Sequence, residues 1–298
     1  MNKIVVDGNS IGHANHSGTR LTSGALQVQM IFGMVRAMRA MAVKYPSHRI
    51  IVLWDGKSRW REEFFPDYKA NRKTDDPKIQ ADKDAYEKQV PFARTALRLM
   101  GIPQLYCTTH EADDLADLII CQTIDKGGSV VLSTGDKDWL QYVRPNVIWF
   151  DPIRDRLVNH NTFFEFTGYR TTAAFVQGKA LQGDVSDNIK GVGKIGEKGA
   201  AELLAQYGSV EEFWKEVDEG RLIPKTKALQ HLALPETRDV FYRNMKLVNL
   251  REAPKPKPEN MVLIKPTYNR DDFKKLCDAL AFRSITKDID GFLEPFSA

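Results

Sequence analysis

The chain has 298 residues, 42% of them hydrophobic and 28% charged, a length of about two domains and a composition that excludes disordered and fibrous structure. Its net charge of +4 permits contact with nucleic acid without demanding it. Three widely spaced cysteines (Cys107, Cys121, Cys277) make neither a disulfide framework nor a zinc pattern, and no apolar run approaches the ~20 residues of a membrane span, so a soluble cytoplasmic protein is expected.

In chain order, Lys3–Asp7 reads as a buried β-branched strand delivering an Asp into the loop at Gly8-Asn9. Apolar residues at helical spacing (Leu26, Met30, Met34, Met38, Met41) predict a helix over 24–44, with the methionines as core packing. The pattern of strand into Asp returns at Arg49–Asp55, at Ser129–Asp136 and at Val147–Asp151, with a helix over Glu111–Ile124 between the second and third. Strands alternating with helices predict an α/β domain on a parallel sheet, whose ligands gather beyond the carboxyl ends of the strands. After about residue 155 short helical segments take over, which predicts a sheet domain over 1–155 and a helical region over 156–298. Ala253–Pro258 reads as an extended basic connector, and 271–280 as a last amphipathic helix.

Nine acids fall at strand ends or helix starts on one edge of that sheet: Asp7, Asp55, Glu111, Asp113, Asp114, Asp136, Asp138, Asp184 and Asp187. Any one of them could be a helix cap or a solvated loop residue. Together in one pocket they would repel each other unless cations sit among them. An all-oxygen set, with no His at ligand spacing, selects Mg²⁺, with Mn²⁺ as a substitute. Two such ions about 3.5–4 Å apart would let water attack a phosphodiester in line and would stabilise the oxygen that leaves.

Between the second and third strands, residues 56–100 carry eleven bases against eight acids, interleaved with Phe64, Phe65, Tyr68 and Tyr86. A connection that long is a functional insertion, and its charge and aromatics suit a single nucleic-acid strand. His13 and His16 follow the first Asp and are read as incidental loop residues.

These segments resemble the 5′-nuclease (flap endonuclease) superfamily, close to the 5′–3′ exonuclease domain of bacterial DNA polymerase I and its free-standing phage relatives. The matching stretches are Val5–Asn9, Trp54–Gly56, Phe65–Arg72, Glu111–Asp114, Ser133–Asp138, Gly183–Ile189 and Gly191–Ala200, in the family's order over roughly residues 3–285. The resemblance implies a PIN-like (resolvase-like) sheet, an arch insertion at about 57–100 bearing Phe65 and Tyr68, and a helix–hairpin–helix at about 185–207. It implies a tighter metal site of Asp7, Asp55, Glu111, Asp113 and Asp136, a second of Asp136, Asp138, Asp184 and Asp187, and Asp114 beside them. Lys69 and Arg72 would neutralise charge on the scissile phosphate as catalytic residues. Lys73, Lys190, Gly191, Gly193, Lys194, Gly196 and Lys198 would hold the DNA backbone. A K⁺ ion on the hairpin carbonyls is a further expectation, at a turn where Lys194 replaces the glycine of polymerase I relatives and Gly199 a hydroxyl residue.

The implied activity is Mg²⁺-dependent 5′–3′ exonuclease and 5′-flap endonuclease cleavage of DNA at 5′ ends, flaps and nicks, with RNA–DNA hybrids as a further substrate. A free-standing monomer of phage or bacterial origin is expected, without a fused polymerase, in primer removal, replication or DNA degradation. The alternatives are a catalytically inactive DNA-junction binder, which would tolerate EDTA, and an RNA-directed nuclease, which flap DNA and single-stranded RNA would distinguish.

Overall fold

The computed structural model describes residues 1–297. A seven-stranded sheet is built from β1 (Asn2–Asp7), β2 (His48–Trp54), β3 (Gln104–Cys107), β4 (Val130–Ser133), β5 (Val147–Asp151), β6 (Arg156–Val158) and β7 (Met261–Ile264), in the order β7-β3-β2-β1-β4-β5-β6. The five inner strands are parallel and the two edges antiparallel.

Along β1 the pleat sends alternate side chains to opposite faces. Ile4 and Val6 join the buried cluster under α1 (Gly8–His16), α2 (Gln29–Lys44) and α4 (Pro77–Leu99), with the short α3 (Arg59–Phe64) between the last two in sequence. Val5 joins the cluster under α5 (Ala112–Ile124) and the helices that follow the sheet. The chain runs outward from β1 through β2 to β3, and α5 then carries it back across to β4 on the other side of β1. Crossovers therefore leave β1 in opposite directions, and the crevice at the carboxyl ends of β1 and β4 is the switch point of the sheet, where such folds bind ligands.

Four features add to or depart from the sequence expectation. The helix predicted from residue 24 begins at Gln29, because Gly24 adopts a left-handed turn (φ +57°) joining the two-residue strands Thr22–Ser23 and Leu26–Gln27. The charged excursion at 57–100 is only partly solvent-facing, since Ala93, Ala96, Leu97 and Leu99 on the last turns of α4 lie in the core. The segment around residue 155 contributes the edge strand β6. The end of the chain does not stay with the helical region: β7 pairs with β3, and Phe273, Cys277 and Leu280 pack into the cluster beneath α2. Turn-rich flanks and a run of only four residues hid β7, whose partner lies some 150 positions away.

The helical region includes α6 (Thr172–Gln182), α7 (Glu197–Tyr207), α8 (Val210–Asp218) and α9 (Pro235–Val248). Between α6 and α7 a small antiparallel hairpin pairs Gly183-Asp184 with Ile189-Lys190. Gly183 is required there: a Cβ would lie 2.3 Å from the Ile189 carbonyl, and its φ is +74°. Among the described residues no helix is long and apolar enough to cross a membrane.

Candidate metal centre and nucleic-acid cleft

The acids at the switch point are placed by backbone events that the strands dictate. Asp7 ends β1 and caps α1, accepting from the Ser10 amide at 2.9 Å and from the Thr134 hydroxyl at 2.9 Å. Asp55 follows β2 and accepts from the Ala112 amide at 2.8 Å. Asp136 follows β4 and accepts from the Asp138 amide at 2.8 Å. Asp113, in the first turn of α5, accepts from the indole of Trp139 at 2.6 Å. These four carboxylates line a cleft of about 370 Å³ with Glu111, Lys69 and Arg72 on its rim.

No Lys, Arg or His pairs with any of the four among the described residues. Their electrostatics show it. Removal from water pushes Asp136 up to about 8, with Asp138 adding to the rise, and pushes Asp55 up to about 7, with Asp7 and Glu111 adding. Asp7 and Asp113 are raised by the same burial, Asp113 also by the charge of Asp136. Asp55 is the most exposed of the four residues, so solvent tempers its rise.

The remaining predicted acids each have a cationic partner. Lys179 of α6 bonds Asp138 at 2.8 Å and Asp184 at 3.2 Å. Arg72 holds Asp187 at 2.7 Å, and Lys69 pairs with Glu111 and lies 3.9 Å from Asp187. Burial raises Glu111, but Lys69 and Arg61 outweigh it and hold the carboxyl below its usual range. Burial likewise raises Asp184, and Lys179 brings it down. Asp138, Asp184 and Asp187 line a narrow pocket beside the main cleft, and Asp113 faces both.

Two expectations need correction. Asp114 does not face the cleft. Its side chain is fully buried, clasped by Arg61 Nη1 at 2.9 Å and Nη2 at 2.7 Å, and it accepts from the Glu111 amide, so it anchors the start of α5. Tyr68 is no free stacking platform: it is 6% exposed, with its hydroxyl 2.9 Å from Glu111 and 3.0 Å from Asp187. Phe65 is half-buried beneath the guanidinium of Arg243 on α9.

The segment bearing Lys69 and Arg72 is locked to the Asp184–Ile189 hairpin. The Lys69 amide donates to the Asp187 carbonyl, Asn71 to the Val185 carbonyl, Arg72 to the Ser186 carbonyl and Asn188 to the Asp67 carbonyl. Lys69 itself takes a left-handed backbone (φ 55°) that turns its ammonium toward Glu111. Lys73 is exposed just beyond, at the foot of α4.

On the far side of the hairpin, Gly191–Gly196 form the turn into α7. Val192 and Ile195 are buried, while Lys190, Gly191, Lys194, Gly196 and Lys198 face solvent. Gly193 and Lys194 are both left-handed (φ +63° and 57°), which strains the lysine.

Sequence reasoning missed three participants. His13, on the second turn of the helix that Asp7 caps, lines the cleft and stacks on Tyr86 of α4 with ring centroids 3.9 Å apart. Its spacing from Asp7 was the available signal. Lys179 and Arg61 gave none, since surface and buried bases look alike in sequence.

Among the described residues no three His, Cys, Asp or Glu side chains close on one point as they would around a single ion. The donor chemistry nevertheless fits a hard cation: four oxygen-donor carboxyls line one cleft without a positive partner, and a dication would relieve the burial and repulsion that raise them.

Residues 2–168 match the family described as 5′–3′ exonuclease, N-terminal resolvase-like domain, and residues 170–266 match 5′–3′ exonuclease, C-terminal SAM fold. The chain is 28% identical to a 5′–3′ exonuclease of Aquifex aeolicus over 90% of its own length and 88% of the relative's. It is 27% identical to DNA polymerase I of Bacillus caldotenax, over 96% of this chain but 32% of the polymerase. Among solved structures it resembles a bacteriophage T5 flap endonuclease in a pseudo-enzyme-product complex with DNA and metal ions, with a TM-score of 0.70 at 24% identity, covering 99% of this chain and 100% of the other.

Proposed function

The chain belongs to the 5′–3′ exonuclease family, and from that premise we propose that it is a structure-selective 5′ nuclease, a divalent-cation-dependent hydrolase cutting DNA phosphodiesters at free 5′ ends and at 5′ flaps. The observation that carries this reading is the set of four switch-point carboxylates with no cation of the chain's own. A protein that only bound phosphates would gain nothing from uncompensated acids beside them.

In this reading Asp7, Asp55, Asp113 and Asp136 hold one Mg²⁺, many of the contacts running through water, and Asp138, Asp184 and Asp187 hold a second. Bound there, the two ions supply an activated water and neutralise charge on the phosphate. Lys69 and Arg72 stand on the cleft rim, where a scissile phosphate would compete with Glu111 and Asp187 for them. Glu111 orients Lys69, and Asp114 with Arg61 keeps Glu111 in place. The exposed amides and lysines of the Gly191–Gly196 turn grip duplex backbone without reading sequence, and its carbonyls are where a K⁺ ion would sit. The free strand passes beneath the exposed first half of α4, between Lys73 and Lys88.

The test is product mapping on 5′-flap, nicked and blunt DNA and on RNA–DNA hybrid, with Mg²⁺ and with EDTA. Cleavage near the junction that requires the metal supports the reading. Intact substrate in Mg²⁺ alongside tight junction binding would replace it with the inactive binder.

A further inference from the structure

Lys179 keeps 23% of its side chain exposed, and its ammonium bonds Asp138 Oδ1 at 2.8 Å and Asp184 Oδ2 at 3.2 Å. Among the described residues it is the only cation paired with either acid. Asp184 is held further by the backbone of its own hairpin, the amides of Ser186 and Asp187 donating to Oδ1 at 2.8 and 3.2 Å. The switch-point acids lack any such partner: Asp7, Asp55, Asp113 and Asp136 accept only from amides, a hydroxyl and an indole. One half of the acidic centre is thus electrically open, and the other is closed by the chain itself.

We propose that Lys179 is a resident counter-ion that a divalent cation must displace from Asp138 and Asp184, so that this lysine sets the weaker cation affinity of the hairpin side and the order in which the two ions load. The proposal rests on the reading of these acids as cation ligands. Its physics is an exchange. On the open side a dication meets carboxylates with nothing to give up. On the closed side it must break two charge-assisted hydrogen bonds, which are the strong kind. An ammonium on a flexible four-carbon stem can leave without moving α6, and it stays beside the cleft, where a phosphate oxygen offers it a new partner.

Lys179 is in this sense a positioning residue, and its role is read by binding, not turnover. Mn²⁺ is titrated into the DNA-free protein and free Mn²⁺ is followed by its electron paramagnetic resonance signal, for the wild type, Lys179→Met and Lys179→Arg. The wild type should show one tight class and one weaker class. Lys179→Met should tighten the weaker class about tenfold or more and move the tight class by less than about threefold, the scale on which groups around a metal site alter its affinity. Lys179→Arg, which keeps the charge, should stay close to the wild type. In EDTA, Lys179→Met should melt below the wild type, because Asp138 and Asp184 then face each other uncompensated, and Mn²⁺ should raise its Tm by more than it raises the wild type's. Lys179→Gln is read the same way if the methionine variant does not fold.

A weaker class that does not tighten in Lys179→Met, or two equally tight classes in the wild type, overturns the role of Lys179 while leaving the metal centre standing. No Mn²⁺ binding by any of the proteins overturns the metal centre, and the proposal falls with it.

Discussion

The two halves of the acidic centre use the same carboxyl group in different electrostatic settings. At the switch point, Asp7, Asp55, Asp113 and Asp136 are served by neutral donors only, and all four are pushed up. On the hairpin side, Lys179 and Arg72 reach Asp138, Asp184 and Asp187, and Lys69 reaches Glu111 on the rim of the main cleft; Asp184 and Glu111 fall below the usual carboxylate range, while burial outweighs the cations at Asp187 and raises it. Burial acts on Asp136 and Asp184 alike, so the difference between them lies in the cation that the fold supplies to Asp184. A count of acids along the chain cannot show this, because the cations arrive from elsewhere: α6, and the segment before α4.

The comparison breaks most sharply under two substitutions that should look identical by activity. Asp136→Asn and Asp184→Asn should each lower flap cleavage by about a thousandfold, near the upper end for loss of one preorganised electrostatic group, while DNA binding persists. Their metal-free stabilities should diverge. Asp136→Asn keeps the acceptor for the Asp138 amide and removes a charge that repels its neighbours, so Tm in EDTA should rise. Asp184→Asn takes a partner from Lys179, so Tm should fall. Shifts of the same sign would show that the two halves are not electrostatically distinct.

A second break targets what holds the halves in register. Arg61 is 2% exposed and joins Asp114, Glu111, the Ser58 hydroxyl and the Leu247 carbonyl of α9. Arg61→Met leaves Asp114 charged and buried without its partner, which should cost about 3–5 kcal/mol. Pairing it with Asp114→Leu should recover part of that loss in a denaturant melt, since an apolar pair needs no compensation. No recovery would mean that Arg61 acts chiefly through Glu111.

The pH dependence of the metal-free protein sharpens the comparison further. A carboxyl raised in the folded state binds more protons there than in the unfolded chain, so its stability contribution is complete below the ordinary value of 3.8 and is lost as pH rises through the folded value. For Asp136 that window runs from about 4 to about 8, with Asp7 and Asp113 adding in the same direction and solvent-reached Asp55 adding less. Asp184 and Glu111 work the other way, gaining stability above their ordinary values, but their window lies lower. The Tm in EDTA should therefore fall by several degrees between pH 6 and pH 9, and Mg²⁺ should flatten the fall. A Tm that climbs over that range would contradict the open-side assignment.

Much of this was legible in sequence, for identifiable reasons. Strands β1, β2, β4 and β5 announce themselves because each is an apolar run leading into an Asp, and the metal reading follows from where those ends must lie. The edge strands β6 and β7 were not legible: each is three or four residues long and owes its pairing to distant partners. Asp114 looked like its neighbours Glu111 and Asp113, yet one helical step turns it to the inner face of α5, where Arg61 waits. Sequence alone leaves open whether Tyr68 stacks on a base or packs the arch, because nothing local reveals that two carboxylates from distant segments meet at its hydroxyl.

That hydroxyl gives the smallest and finest probe. Tyr68 has one proton to donate and two acceptors within reach, Glu111 and Asp187, one from each side of the centre. Its ring is buried below the cations of Arg61 and Lys69, at 5.8 and 4.8 Å from the centroid. Tyr68→Phe keeps the ring and those cation contacts and removes only the shared proton. Both acids retain a charged partner, so the loss should be about 1–2 kcal/mol of stability, the scale of one hydrogen bond to a charged group, with cleavage reduced less than about tenfold. If turnover instead dropped a hundredfold at unchanged DNA affinity, the hydroxyl would be acting on the reacting groups, and the two halves would be chemically coupled through Tyr68 and not merely adjacent.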